Sequence, residues 1–361
     1  MRLFAAEWSR LFARRFTRMM FLIVILLLAL IGGGIAYSSH VPTDAARAKA
    51  KVEADRQRAF LTQQRARCEE AVRNPRPTPS PGSTAGTEPG TPGTEPGGPP
   101  GGELGPVSTP PPGVTCAEYF NPAEIDDASF LPSTFGFARE AHDLVLVFGG
   151  IFAMLAFAVG ASFVGAEWSS GSMMNLLIWR PRRILVLLTK LFTLLFGLAV
   201  TGALLAAAWV AAAYGIARYR GEVGRVTQGS LTSLGLDTAR ALGLALAAAA
   251  IGFALASLGR HTAMAMGVAV GYLLVIEVGL NIVLRLTEVP KVERWFLSSY
   301  VQAWLDKKAQ FVDFTPCRYA EGDCAPVEWS ISMDDSAVIL GVATLALVAV
   351  SVIAMRRRDV A

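Results

Sequence analysis

The sequence has little charge and none of the short motifs that carry catalysis or nucleotide binding. Charged residues make up 17% of the 361 residues, where a typical soluble domain has roughly 25%. It has no Gly-x-x-x-x-Gly-Lys-Ser/Thr loop to hold phosphates. The three histidines, His40, His142 and His261, do not have metal-ligand spacing among themselves or with the cysteines. No Ser-His-Asp arrangement or pair of carboxylates stands out, so we expect no catalytic, cofactor or metal site in this chain.

The sequence is instead rich in long apolar runs. A helix needs about 20 apolar residues to cross the hydrocarbon core of a bilayer, and short alternating strands of a membrane barrel are absent. The runs predict an all-α polytopic membrane protein with six transmembrane helices. We place these helices at residues 18–37, 144–166, 185–217, 241–258, 263–286 and 336–355.

The basic residues orient the helices, because Lys and Arg are enriched on cytoplasmic flanks. Five arginines lie before or at the start of the first span, and both the 167–184 connection and the 356–361 tail are basic. We therefore predict that both termini are cytoplasmic. The short loop at 218–240 contradicts this pattern, because it is basic and yet falls outside. A net charge of +4 is too small to indicate a nucleic-acid partner.

The first 17 residues place Trp8 and several phenylalanines on one helical face. This pattern is typical of a helix lying on the inner membrane surface. A plain basic flank for the first span is an equal alternative. The apolar run at 18–37 exceeds a usual signal-peptide core, which favours an uncleaved anchor.

The extracytoplasmic loop at 38–143 is the largest soluble part. Residues 43–73 predict an exposed helix, since they are rich in Ala, Arg, Gln and Glu without a wide apolar stripe. Residues 74–113 are dominated by Pro and Gly, a composition typical of disorder. A low-complexity insertion is favoured over a ligand-binding role. The second outer segment, 287–335, carries an aromatic stripe that predicts partial helices at the membrane interface.

All four cysteines fall on the predicted outer side, where disulfides persist. Cys68 and Cys116 lie in the first outer loop, whereas Cys317 and Cys324 lie in the last. We predict the pairs Cys68–Cys116 and Cys317–Cys324, with free thiols as the alternative.

The most informative stretch is the cytoplasmic connection at 167–184. It follows Gly165, contains Glu167 and Gly171, and ends in a cluster of Pro181, Arg182 and Arg183, with Lys190 shortly after. An apolar block too short to span a membrane lies between the acid and the basic cluster. Such an element suits docking on a soluble partner, whereas a plain positive loop is the alternative.

These residues resemble the permeases of type-2 ATP-binding-cassette (ABC) exporters. Six of them match that family's pattern in order, namely Gly165, Glu167, Gly171, Pro181, Arg183 and Lys190. The resemblance covers the membrane core and both termini but not the 38–143 loop. Trp179 and Arg180 ahead of the proline depart from it, because relatives more often carry Leu or Thr there.

The resemblance implies a subunit of an exporter in a bacterial cytoplasmic membrane, working with a separate ABC-type ATPase that binds the ATP. The 167–184 segment would be the coupling element, and a second permease copy or a paralogue would complete the path. The second and fifth helices line that path in relatives, which makes Glu277 and Asn281 candidate path residues. Hydrogen bonding to a neighbouring helix is the alternative for Glu277. A non-transporting sensor or scaffold, and an ion-driven transporter, are the alternative functions.

Overall fold

The computed structural model describes residues 2–41, 43–73, 114–131, 134–173, 183–313, 317 and 325–357. The chain forms two compact units. The membrane unit comprises Met1–Ser39 with Phe135–Ala361, and the inserted unit comprises His40–Thr134. The predicted disordered segment at 74–113 lies outside the described residues.

Helices dominate the described residues. In chain order they are α1 (Arg2–Ala13), α2 (Arg15–Ser38), α3 (Asp44–Arg73), α4 (Cys116–Tyr119), α5 (Phe137–Ser169), α6 (Arg183–Arg220), α7 (Gln228–Gly259), α8 (Thr262–Leu286), α9 (Leu297–Asp306) and α10 (Met333–Arg357). Short 3₁₀ turns lie at Pro122–Glu124, Asp127–Phe130 and Val292–Trp295. Six of the helices (α2, α5, α6, α7, α8 and α10) are long and apolar enough to cross a membrane. The prediction of an all-α protein with six spans is confirmed.

The helices extend beyond the predicted spans. The segment at 218–240 is mostly helix rather than loop, because α7 already begins at Gln228. Thr227 and Ser230 form a capping box there, in which each side chain accepts a bond from the other's backbone N–H. Counting apolar residues detects only the part of a helix that matches the hydrocarbon, so the polar first turns of α7 were missed.

Helices α5 and α7 pack backbone against backbone at the centre of the membrane unit. A Cβ atom on Gly160 would overlap the carbonyl oxygen of Ala249, and one on Gly252 would overlap that of Phe157. Ala245, also on α7, is fully buried. Small residues therefore permit the close approach of these two helices.

Helix α8 is packed very differently. Its middle, Tyr272–Leu280, is π-helical, with α-helical turns on either side. No residue from Tyr272 to Leu286 is buried. Cβ atoms on Gly267 and Gly271 would meet nothing within 4 Å. Gly267 and Gly271 therefore face away from the rest of this chain, whereas Ala265, earlier in the same helix, is fully buried.

A small cap follows α8. Helix α9 is succeeded by two antiparallel strands, β1 (Lys308–Asp313) and β2 (Val327–Ser332), which lead directly into α10. Phe311 and Trp329 stack across the strand pair. The sheet is an addition to the partial helices predicted at 287–335. Six spans place α1 and Arg357 at one end of the bundle, termed here the α1 end, and α9 at the opposite α9 end.

The inserted unit is held by α3. A disulfide joins Cys68 to Cys116, with 5.9 Å between their Cα atoms, and these cysteines pack with Phe120. Arg58 donates to Asp127 at 2.8 Å and to the carbonyl of Ile125 at 2.7 Å. The carboxylate partners raise the pKa of Arg58. The predicted pairing of Cys317 stays a prediction, because Cys324 lies outside the described residues.

Candidate coupling hub at the α1 end

Of the residues predicted to couple the protein to a partner, Glu167 and Lys190 meet at the α1 end of the membrane unit. Gly165 and Glu167 lie in the last turns of α5, and Lys190 lies near the start of α6. Arg183 is the first residue of α6. Pro181 and Arg182 lie outside the described residues.

Glu167 is not a surface residue. Only 7% of it is exposed, and its carboxylate pairs with two cations from different helices. One oxygen accepts from the guanidinium of Arg14, immediately before α2, and the other lies 2.8 Å from Nζ of Lys190. The motif glutamate therefore joins the ends of three helices rather than pointing at solvent.

Glu7 on α1 completes the cluster. Its Oε2 atom accepts from Nζ of Lys190 at 2.6 Å, and both residues are almost fully buried. The cluster of Glu7, Arg14, Glu167 and Lys190 is called the hub below. It contains two acids and two bases, so its formal charges cancel. The hub connects α1, α2, α5 and α6.

The aromatic ring of Phe163 lies against both cations of the hub. The Arg14 Cζ atom is 4.9 Å from the ring centroid, and the Lys190 Nζ atom is 5.4 Å away. Arg14 also donates to the carbonyls of Ser162 and Phe163, at 3.0 and 2.9 Å. Burial lowers the pKa of Arg14 and Glu167 opposes this. Arginine nevertheless remains charged, since its ordinary pKa is far above neutral.

A buried cluster of this kind specifies position more than it adds stability. Desolvation of the charges offsets much of their attraction, whereas removal of a single member leaves an uncompensated buried charge. Because every hub charge already has an opposite partner, a sideways shift of α1, α2, α5 or α6 would break a buried pair. The four elements are thus expected to move together at this end.

Apolar contacts support the same connection. Phe4 and Trp8 on α1 contact Phe196 on α6, and Phe4 also contacts Phe192. A Cβ atom on Gly197 would overlap the side chain of Leu11. Helix α1 therefore packs its apolar face against α6. This position agrees with the amphipathic pattern of residues 1–17 rather than with a plain basic flank.

The opposite side of the α5 terminus rests on the turn between α7 and α8. A Cβ atom on Gly165 would overlap the backbone of Thr262, the first residue of α8. Arg260 lies over the ring of Trp168, with Cζ 5.1 Å from the centroid. Movement of the α5 terminus would therefore also displace the start of the fifth span.

Gly171 follows the end of α5, and its backbone conformation explains why the motif has glycine there. It has φ +71°, a left-handed conformation that favours glycine, and its N–H donates to the carbonyl of Trp168. Met173 beyond it is fully buried. The chain thus turns back against the bundle directly after α5.

Sequence reasoning missed Glu7 and Arg14. Arg14 was interpreted as one of five basic flanking residues, although it is the one that inserts into the bundle. A signal for Glu7 exists, because it is the only acidic residue among the first 43. A lone acid on the apolar side of a basic amphipathic helix suggests a buried partner.

The predicted path residues lie on α8, away from the hub. The carboxylate of Glu277 accepts from Tyr272 and from Ser298 of α9. Asn281 accepts from Nε of Arg285 at 2.6 Å, and Arg285 pairs with Glu293 at 3.2 Å. Each has a protein partner within the described residues, and a role in lining a path stays a prediction.

The whole sequence was compared with known proteins. A family model described as an ABC-2 family transporter protein matches residues 12–360, which is nearly the entire chain. Comparison with curated proteins gives no match, and comparison with solved structures gives none either. Permeases of this family are membrane transport components and are not themselves catalysts. Together with the six spans, the match shows that the chain belongs to the ABC-2 transporter family and is a permease of that type.

Proposed function

We propose that this permease forms the transmembrane path of an ATP-driven exporter and is driven by a separate ABC-type ATPase subunit. ATP would bind to that partner, so this chain needs no cofactor. The proposed location is the cytoplasmic membrane of a bacterium, with the α1 end in the cytoplasm. The basic residues around α1 and the 167–184 segment support this orientation.

The observation that carries the proposal is the double attachment of the α5 terminus. On one side the hub connects it to α1, α2 and α6, and on the other Gly165 packs against the start of α8. A partner pushing on the segment directly after α5 would therefore act on five helices at once. This is the arrangement needed to convert ATPase closure into rearrangement of spans.

Contact and transmission are assigned to different residues. Pro181, Arg182 and Arg183, with the nearby Gly171 turn, would contact the ATPase. Glu167 and Lys190 are buried and would instead transmit the displacement through the hub. Substitutions in the two groups should therefore give different defects.

A second permease copy or a paralogue would complete the path. Ionisable residues are costly when they face lipid, yet Arg285 is 60% exposed on α8 and no residue from Tyr272 to Leu286 is buried. A second subunit covering this helix would remove that cost. Glu277 and Asn281 would then lie close to the boundary between two subunits, where a path can form.

The test is affinity purification of the tagged permease from its native membrane, with mass spectrometry and an ATP hydrolysis assay. The wild type is expected to bring down a P-loop ATPase. Replacement of Pro181, Arg182 and Arg183 together by alanine should release it. Glu167→Gln should keep it bound while changing its hydrolysis rate.

Arg10→Gln is the matched control, because Arg10 is exposed and also pairs with Glu7. It should behave as the wild type in both readouts. Recovery of intact permease without any ATPase, under conditions that preserve other membrane complexes, would reject the proposal and favour a sensor or scaffold.

A further inference from the structure

The fifth span carries a structural irregularity beside its one acidic side chain. The π-helical segment Tyr272–Leu280 surrounds Glu277, and a Cβ atom on Gly279 would lie 3.3 Å from the carbonyl of Leu274, five residues earlier. Glycine therefore relieves crowding in the widened turn. Turns of π-helix are rare in proteins, and those that occur are often at functional sites. The contacts of Glu277 therefore indicate what this segment does.

The carboxylate of Glu277 holds the start of α9. One oxygen accepts from the backbone N–H of Ser298 at 3.1 Å and from the Tyr272 hydroxyl at 2.9 Å. The other accepts from the Ser298 hydroxyl at 2.7 Å. Tyr272 in turn accepts from the N–H of Leu297 at 3.3 Å. The first two N–H groups of α9, which have no partner within the helix, are thus satisfied by side chains of α8.

The other end of α9 is attached to different helices. Trp304 donates its indole N–H to the carbonyl of Arg240 at 3.0 Å, and Arg240 donates to the carbonyl of Leu305 at 3.4 Å. Arg240 is itself held by Asp237, whose carboxylate also accepts a hydrogen bond from Nδ1 of His142 on α5 at 2.9 Å. Directly after α9, the N–H of Met333 in α10 donates to the carbonyl of Lys307.

The two attachments differ in kind. The end near Trp304 is joined to α5, α7 and α10 by several side chains and backbone groups. The hydrogen bonds at the end near Ser298 come from Glu277 and Tyr272 of α8, a helix with no buried residue in this stretch. A relative movement of α8 would therefore release the start of α9 first, while its other end acts as a pivot.

We propose that Glu277 is a positioning residue that latches α9 to the π-helical segment of α8, and that this latch opens during the transport cycle. The inference rests on the proposed function for the cycle that opens the latch. Glu277 would act through α9, which joins α8 to Arg240 of α7, and this effect needs no contact with the transported molecule. The paired Tyr272 and Ser298 would share its effect.

The latch can be tested with a buried reporter on α9. Ser299 is 7% exposed and follows the latched residue, so Ser299→Cys should react slowly with a bulky water-soluble maleimide. The labelling rate would be measured in detergent on the purified complex of permease and ATPase. The protein without Ser299→Cys gives the labelling of the four native cysteines, which is subtracted. Glu277→Gln and Ser298→Ala should each raise the rate about tenfold, since hydrogen bonds to a charged group are strong.

Two further variants separate the latch from general loosening. Ser298→Thr keeps the hydroxyl and should restore the slow rate, and Gln302→Ala, exposed on the same helix, should leave it unchanged. ATP should accelerate labelling in the wild-type background and have little effect once Glu277→Gln has opened the latch.

The latch would be overturned if Ser299→Cys is labelled at the same rate alone as it is together with Glu277→Gln or Ser298→Ala. A labelling rate that ATP does not change, in a complex that hydrolyses ATP, would overturn its role in the cycle. Failure to recover any ATPase would instead reject the proposed function, and the comparison of the variants without nucleotide would still decide whether the latch exists.

Discussion

The two ends of the membrane unit use charge in opposite ways. At the α1 end, four charged groups from four elements form the hub, and Lys190 has no exposed surface. At the α9 end, one buried carboxylate, Asp237, is shared by partners that include the half-exposed His142, and the Glu277 latch is only partly buried. Water can reach His142 and the Glu277 latch at the second end, whereas it cannot reach Lys190 at the first. The hub therefore suits a rigid joint, whereas the α9 end suits a contact that opens and closes.

Removal of the central hub cation should have the largest effect. Lys190→Met leaves Glu7 and Glu167 facing each other in a buried site, with the partly buried Arg14 as the remaining cation of the hub. We expect a loss of roughly 3–5 kcal/mol in the free energy of unfolding of the membrane unit, as for other broken buried pairs. Denaturant unfolding in detergent measures it, with Lys51→Met on exposed α3 as the control. A loss below about 1 kcal/mol would contradict the hub as a desolvated joint.

Removal of the shared acid at the α9 end should cost less. Asp237→Asn keeps a hydrogen-bonding side chain but weakens its charge-assisted bonds to Arg240 and His142. We expect about 1–3 kcal/mol in the same assay, with the exposed Asp143→Asn as the matched control. A loss as large as that of Lys190→Met would remove the contrast between the two ends.

The smallest effect should come from the exposed partner of a hub residue. Arg10 pairs with Glu7 at 3.2 Å, but half of its side chain is exposed. Exposed ion pairs contribute little, so Arg10→Ala should change the free energy of unfolding by less than about 1 kcal/mol. Comparison with Lys190→Met sharpens the contrast, because both substitutions remove a cation from the same carboxylate. Similar losses would mean that burial does not decide the strength of these pairs.

The spans were predictable because a bilayer demands long apolar runs, and each run is visible in the sequence without knowledge of its neighbours. Their ends were not, because polar turns such as those at 228–240 continue the helix past the apolar run. The two strands of the cap were missed for a different reason. Each is only six residues long, and the register that pairs Phe311 with Trp329 joins positions far apart in the chain.

The hub was half predictable. Glu167 and Lys190 belong to a pattern that the sequence shares with a family, so they could be selected without a structure. Glu7 and Arg14 have no such pattern, and their roles depend on α1 folding onto α6 through Phe4 and Trp8. The same is true of Ser298, whose importance comes only from the position of Glu277 across the turn. Contacts between residues far apart in the sequence depend on how the helices pack, and local sequence patterns carry no information on that packing.

The most direct measurement of the account is ATP hydrolysis by the purified complex carrying Glu167→Gln, beside the wild type and Arg10→Gln. If the hub transmits rather than binds, Glu167→Gln should retain the ATPase subunit in full and change its hydrolysis rate by roughly fivefold or more, the lower range of a coupling free energy between sites. Arg10→Gln should leave the rate unchanged. A Glu167→Gln complex that hydrolyses ATP at the wild-type rate, with the ATPase fully bound, would contradict the hub as the coupling joint.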